Sequence, residues 1–377
     1  MGVLNAGVFL KLILLLPVLL PASDRITLTG QVCDDQSGKP LAFVNVFIAN
    51  TMLGSTTDEA GKFTIRGVPM GTRELVISHI GYEVRKIELR LTTAADLDFA
   101  IKLTPKTWVM PEVEVVASKN REWQKRLRQF AEYFLGTSQN AQQCKIVNPE
   151  MLDFQANAQS FSATAADILV IDNLALGYRV HFLLEYFNLE SDILSYFGRP
   201  RFEFLQAENS RQQKQWQENR RRTFLGSQRH FLAALCTNKV DEEGFTVDQV
   251  ETVAWEESMA VKRNVSVEAM VAPGSVSFER VVDFTDYLRL VYRDEHESPE
   301  YVRWAKLDGQ ATAGIQQRPH RAGAQISWIT LNTPSAVVDT TGYLYSPLAV
   351  TVYGYWAWER VAEMLPYEYT PGKQNTK

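Results

Sequence analysis

The sequence predicts an α+β, mainly β protein: a small N-terminal β-sandwich followed by a larger mixed α+β domain. Between Ile26 and Leu103, short apolar runs alternate with period two, as in Val44, Val46 and Ile48, in Phe63 and Ile65, and in Leu75 and Ile77. Such alternation marks strands with one buried face. Each run stops at a turn (Asp34 to Gly38, Asp58 to Gly61, Pro69 to Gly71), where glycine takes a positive φ that other residues resist. Beyond residue 120 the period changes. Trp123, Leu127, Phe130, Ala131 and Phe134 recur at steps of mostly three and four residues, opposite Lys125, Arg128 and Glu132, which is the pattern of an amphipathic helix.

The first stretch carries a family resemblance. Its residues are Gly30, Val32 and Asp34, then Pro40 and Leu41 with Val44 and Val46. They continue through the hairpin residues Thr57, Asp58, Gly61 and Phe63 to the closing Ser78, Ile80, Gly81 and Tyr82. Together they resemble the carboxypeptidase regulatory-like domain, found beside many bacterial envelope proteins. The resemblance covers about a fifth of the chain and implies a seven-stranded transthyretin-like β-sandwich over residues 24–104. It implies no catalytic residues, because the domain is named after a module that follows the catalytic domain of some metallocarboxypeptidases.

Residues 1–23 stand apart. Val8 to Leu20 is apolar except for Lys11, and Pro21, Ala22 and Ser23 follow, so the segment reads as a secretory signal peptide. A transmembrane anchor is the competing reading, but the run is short and interrupted by Lys11 and Pro17. The expected address is therefore export, to the periplasm or the outer membrane of a Gram-negative bacterium. Nothing later in the sequence resembles a membrane span. A net charge of −5 and a pI near 5.7 give no global field for nucleic acid.

Along the chain, Pro105 and Pro111 bracket a connector, and Glu112 to Val116 alternates like an edge strand, so residues 105–119 read as a linker or edge strand. Strands are expected at 151–155, 160–164, 168–171 and 177–189. On the last of these, Tyr178, Val180, Phe182, Leu184 and Tyr186 share one face, opposite Arg179, His181 and Glu185. A helix is expected from Ser210 to about Leu225, and Gly226 breaks it. Ser227 then caps a second helix through His230, Phe231 and Leu235. Further strands are expected at 245–250, 264–271, 276–283, 287–293 and 325–331. An aromatic-rich strand pair ending near Tyr355 and a last helix from Trp356 to Leu365 complete a domain over 120–369, with a loose tail at 370–377. Phe134 to Gly136, Cys144 to Pro149, Asn173 to Tyr178 and Gly226 to Leu232 resemble a block that often follows this sandwich in secreted bacterial proteins. That resemblance implies architecture and address without chemistry.

The chemistry-bearing residues exclude more than they assign. No helical His-Glu-x-x-His occurs, and His181 and Glu185 sit about 13 Å apart along a strand, too far to share one ion. No Gly-x-Ser-x-Gly elbow, phosphate loop or dinucleotide motif is present. No catalytic residue, metal or cofactor is assigned. Of Cys33, Cys144 and Cys236, the last two fall in one domain and form the candidate disulfide, against three unpaired buried thiols. Trp216 and Arg220 lie one helical turn apart, with His230 just past the break, and these three form the candidate binding face. A structural helix–helix corner is the alternative. The crowd of Tyr343, Tyr345, Tyr353, Tyr355, Trp356 and Trp358 reads either as sugar- or peptide-stacking rings or as core. These readings point to a non-catalytic envelope binding or scaffold protein, with an unidentified envelope protein or polysaccharide as partner. The rival is a hydrolase, peptidase or glycan-acting, assembled in the C-terminal domain.

Overall fold

A computed structural model of the chain describes residues 25–106, 121–191, 193–251, 261–262, 265–307 and 323–372. The expected signal peptide, and the edge strand expected at Glu112 to Val116, lie outside the described residues. The first seven strands are β1 (Arg25–Asp34), β2 (Asn45–Ile48), β3 (Gly54–Thr56), β4 (Lys62–Pro69), β5 (Gly71–Ser78), β6 (Arg85–Leu91) and β7 (Leu97–Leu103). They form two sheets, ordered β4-β1-β7 and β3-β2-β5-β6, with β7 parallel to β1 and the other pairs antiparallel. The alternating residues Leu28, Val32, Val46, Ile48, Phe63, Ile65, Leu75, Ile77 and Ile101 meet between them as the core. The motif residues hold the turns. Asp58 Oδ1 accepts from the backbone of Ala60 and Lys62 at 2.9 and 2.8 Å, and Thr57 Oγ1 donates to Leu41 O at 2.7 Å. Gly61 has φ +72°, and a Cβ there would stand 2.5 Å from Val32 O. Tyr82 donates to Asp34 Oδ2 at 3.0 Å, joining the first and last parts of the motif.

Among the described residues, the rest of the chain has two large hydrophobic cores and a small aromatic cluster of Tyr301, Tyr355 and Trp358. The first lies under a six-stranded antiparallel sheet of β8 (Cys144–Ile146), β9 (Leu152–Ala156), β10 (Ser160–Ala165), β11 (Leu169–Asn173), β12 (Tyr178–Glu190) and β13 (Ile193–Phe204). Helix α1 (Arg121–Leu135) buries Phe130 and Phe134 against it. β13 pairs with β12 along its whole length although it contains Gly198 and Pro200. As an edge strand it tolerates the missing proline N–H, and at Gly198 a Cβ would meet the Phe182 ring at 2.2 Å. The register of β12 and β13 shifts between Leu184 and Tyr186. This irregularity corrects the expected face: Tyr178, Val180, Phe182 and Leu184 are buried, whereas Tyr186 is 51% exposed and Phe187 turns inward.

Helices α2 (Ser210–Phe224) and α3 (Gln228–Cys236) follow, and α3 packs into the second core. That core is walled by β14 (Phe245–Val250), β15 (Val261–Lys262), β16 (Val271–Pro273), β17 (Glu279–Val282), β18 (Tyr287–His296), β19 (Ala324–Leu331), β20 (Ala336–Asp339) and β21 (Val350–Gly354), in two antiparallel sheets ordered β15-β14-β18-β19-β21 and β16-β17-β20. Helix α4 (Pro299–Leu307) precedes β19. Two expectations change here. Part of the strand expected at 264–271 is a 3-10 turn, Val267–Met270. The last helix is only α5 (Tyr355–Trp358), followed by extended Arg360 and a second turn, Val361–Glu363. The reason is packing: Trp356 belongs to the second core, while Val361 and Ala362 belong to the first. Tyr355, Trp356 and Trp358 are buried, so these rings are core rather than a stacking surface.

The sandwich is fastened to both halves. The outer face of β2 and β5 places Phe47, Ala49 and Val76 against Ile168 and Leu183. Asn50 N donates to Pro200 O at 2.7 Å and Phe202 N to Thr51 O at 2.9 Å. Arg199 forms ion pairs with both Glu74 and Glu185. Arg73, 4% exposed, reaches Asp339 at 3.7 Å and donates to the Tyr367 hydroxyl at 2.5 Å, while that hydroxyl donates to Asp339 Oδ2 at 2.7 Å.

Removing one member of a buried ion pair strands the other without water. Arg73→Ala is therefore expected to cost about 3–5 kcal/mol in denaturant unfolding. Lys62→Ala, on the exposed face of β4, is expected to cost less than about 0.5 kcal/mol.

Candidate functional site

The sequence-derived candidates Trp216, Arg220 and His230 come together, but not on the surface. They are 5%, 7% and 4% exposed, which corrects the expected binding face. Trp216, Asn219 and Arg220 project from one side of α2 onto the turn before β12. Trp216 Nε1 donates to Leu174 O at 2.7 Å, Asn219 Nδ2 to Ala175 O at 2.7 Å and Arg220 Nε to Leu176 O at 2.7 Å. Arg220 Nη2 adds Gly177 O at 3.3 Å, and its guanidinium lies 4.1 Å from the Tyr178 ring centroid. Three consecutive carbonyls of the turn, those of Leu174, Ala175 and Leu176, are thus met by three side chains at helical spacing, while Gly177 O also accepts from Leu205 N at 3.1 Å. This is a structural corner: the spacing that made the residues share a face also fits them to the turn.

His230 completes the corner from α3. Ser227 Oγ accepts from His230 N at 3.2 Å, the cap expected from the sequence. The His230 ring accepts from Gly226 N through Nδ1 at 3.1 Å and approaches Glu243 Oε2 through Nε2 at 3.1 Å. An Nδ1 that accepts a backbone N–H carries no proton, so the ring is neutral with its proton on Nε2. Burial holds its pKa below the usual histidine range, against the opposing pull of Glu243.

The candidate disulfide is also corrected. Cys33, Cys144 and Cys236 are all free thiols. Cys144 packs against the first core and Cys236 lies in the second, so they serve different cores. Burial raises the pKa of each to about 12, which leaves them inert near neutral pH. Beside Cys144, Glu363 accepts from Ser138 Oγ, from Asn140 Nδ2 at 2.6 Å and from Thr223 Oγ1 at 3.1 Å. These donors fill the carboxylate and tie the loop after α1 to the end of α2. His181 pairs with Glu203 at 3.1 Å, while Glu185 is held by Arg199 and Lys86, so His181 and Glu185 do not converge.

The surface offers a different candidate. Among the described residues two hollows are shallow: one of about 500 Å³ at the β16–β17 hairpin and one of about 430 Å³ beside Ser210, Arg211, Lys214 and Glu218 on α2. Neither is lined by a histidine or a cysteine. Large exposed apolar side chains stand out at one end of the sandwich, where Phe43 is 71% and Ile80 74% exposed. The β2–β5 ladder pairs Asn45 with Ser78. Phe43 and Ile80 lie two residues beyond that pair, on the same end. Phe43 has φ +60°, the left-handed region that a bulky side chain resists. Sequence reasoning passed over Phe43, because a lone aromatic before a strand reads as core. Ile80 belongs to the quoted motif, but nothing in the sequence showed that it points outward.

Two outcomes follow from the corner. Trp216→Ala is expected to lower unfolding stability by about 3–5 kcal/mol, measured by denaturant titration, with Lys214→Ala nearly neutral. His230 is the acid-sensitive member. Because its folded pKa lies below the unfolded value of about 6.5, its contribution is present above that pH and is lost as pH falls through 6.5 towards the folded pKa. His181, also held low chiefly by burial, acts with the same sign. The quantity to read is therefore the difference: His230→Asn should show a smaller fall in melting temperature between pH 7.5 and 5.5 (about one unit either side of the free histidine pKa) than the wild type does.

A comparison with curated proteins finds no match. Several solved structures are similar to a minor part of the chain. A cohesin–X-dockerin complex mutant from Acetivibrio cellulolyticus is 25% identical over 22% of this chain and 61% of its own, with TM-score 0.20. 3-Chlorocatechol 1,2-dioxygenase from Rhodococcus opacus 1CP is 15% identical over 22% of this chain and 61% of its own, with TM-score 0.18. The shaft pilin SpaA from Lactobacillus rhamnosus GG is 13% identical over 23% and 48%, with TM-score 0.18. The chain thus spans less than two thirds of each of these structures. The model of the CarboxypepD_reg-like domain matches residues 28–115. With the two-sheet topology, the Thr57–Gly61 turn and the Asp34–Tyr82 tie in place, residues 28–115 carry a CarboxypepD_reg-like domain.

Proposed function

We propose that this is an exported, non-catalytic binding or scaffold protein of the Gram-negative cell envelope, and that the sandwich tip at Phe43 and Ile80 makes its contact with another envelope protein. The observation that carries the reading is the strained backbone at Phe43. A positive φ at a bulky residue costs about 1–2 kcal/mol, and here the ring gains no core packing in return, being 71% exposed. Strain retained without internal compensation is a mark of a functional position. Large apolar side chains exposed at one end of the sandwich suit contact with a protein surface. The apolar run from Val8 to Leu20 supports export. No helix among the described residues is long and apolar enough to cross a membrane.

Phe43→Gly should separate function from stability. Glycine relieves the backbone, so the variant should melt no lower than the wild type. Together with Ile80→Ser it should lose the partners that the wild-type chain retains from envelope extract. Retention of the same partners by the double variant, or hydrolysis of peptide or glycan that survives repurification, would overturn the reading.

A further inference from the structure

The sandwich and the six-stranded sheet meet along a seam at β13. Asn50 N donates to Pro200 O and Phe202 N to Thr51 O, so two backbone bonds bracket Arg201, and Thr51 pairs with Arg201 in parallel. The arginine stem carries the turn above it: a Cβ added at Gly54 would stand 2.8 Å from Arg201 Cδ. Among the described residues its guanidinium is met by one carboxylate, at 3.9 Å from Glu203 Oε2. His181 of β12 stands directly opposite Arg201 in the ladder. Its side chain is 21% exposed, and its Nε2 lies 3.1 Å from the same oxygen, Glu203 Oε2. A carboxylate only accepts, so the neutral ring carries its proton on Nε2 and takes a second one at Nδ1.

That second proton brings a charge with no acid of its own. Facing the ring from β13 are Arg201 and Glu203, and opposite it on β11 is the uncharged Val170. Two residues back on β12 is Arg179, whose guanidinium is held by Asp172 of β11 at 2.7 and 2.9 Å, with Lys145 of β8 on the far side. The sandwich turn adds no ionisable side chain, since residues 51–56 read Thr, Met, Leu, Gly, Ser, Thr. Two cations would then share one carboxylate, itself 56% exposed. Burial, followed by Arg201, holds the His181 pKa below the usual histidine range against the pull of Glu203. Like charges directly opposite on paired strands repel, and the arginine that is pushed is the one beneath the turn. We propose that protonation of His181 loosens the seam between β13 and residues 50–54 of the sandwich, so that mild acid opens this side of the joint. Opening stays local. Elsewhere the sandwich is held without a histidine, by Arg73 with Asp339 and Tyr367 and by Phe47, Ala49 and Val76 against Ile168 and Leu183. The inference is independent of the role given to Phe43 and Ile80.

Hydrogen exchange of the purified full chain at about pH 7.5 and 5.5, one unit either side of the free histidine pKa, tests it at the amides of Asn50 and Phe202. Rates are corrected for the chemical effect of pH. In the wild type both amides should lose protection at the lower pH, by more than about twofold. The ceiling is about tenfold, set by a free histidine of pKa about 6.5 read one unit below that value. His181→Gln has no charge to gain and should show no such loss. Arg201→Met keeps the stem but removes the opposing charge, so its loss should be smaller than that of the wild type. His230→Asn, at the other corner, should behave as the wild type at these two amides. Melting curves taken in parallel show that each variant is folded. If Arg201→Met fails to fold, His181→Gln decides alone. Wild-type protection that is the same at both pH values overturns the proposal. So does a loss that persists in full in His181→Gln or in folded Arg201→Met, or that His230→Asn abolishes. A loss spread equally over the amides of every sheet is global unfolding and overturns it too.

Discussion

A buried guanidinium organises the molecule. Arg73 leaves water when the sandwich closes on the C-terminal region, and each of its contacts then fixes another segment. Asp339, which pairs with it, also accepts from the backbone of Thr341 and Tyr343 and so shapes the turn after β20. Tyr367, which bonds both Arg73 and Asp339, anchors residues 366–369, whose carbonyls are gathered by Arg229 from α3. One charge from the sandwich thereby orders a strand end, a helix and the last described part of the chain. Its desolvation is costly unless all these partners are present, which makes the docked arrangement specific. The sandwich is a wall of the body.

That arrangement divides labour in an unusual way. Side chains that chemistry tends to use, among them Trp216, Arg220, His230 and Glu363, are consumed by the structure: they satisfy backbone carbonyls, an N–H and hydroxyls at the joints between halves. Side chains that folding tends to use, Phe43 and Ile80, stand in water. The inside of the protein explains its polar residues, and the outside has to explain its apolar ones.

The sandwich was legible in the sequence because its determinants are local. Strand alternation, Asp58 with Gly61, and Thr57 beside them all act within a few residues of one another. α2 and α3 were legible for the same reason, down to the Ser227 cap. β13 was not: Gly198, Pro200 and the charges at Arg199, Arg201 and Glu203 look like a loop, and only the long partner β12 supplies the pairing that overrides them. The break after α5 was hidden because it arises from two cores competing for one segment. For the candidate site, helical spacing correctly put Trp216 and Arg220 on one face. It could not say whether water or the Leu174–Gly177 turn lay opposite, since an arginine suits both. The exposed tip had no local signature; Phe43 is conspicuous only through its dihedral angle and its exposure.

The first core holds residues from both ends of the C-terminal region: Phe130 and Phe134 from α1 meet Val361 and Ala362, and Asn173 donates to Ala362 O at 2.9 Å across 189 residues. Met52 of the sandwich likewise donates its N–H to Glu368, 316 residues away. A chain emerging from its N-terminus therefore makes the six-stranded sheet long before it makes the segment that seals it. Until residues 361–369 arrive, that sheet waits with one side of its core open, and the long loops this closure must span slow its formation. Closure of the first core thus waits on residues 361–369, which lie far along the chain from the strands they seal.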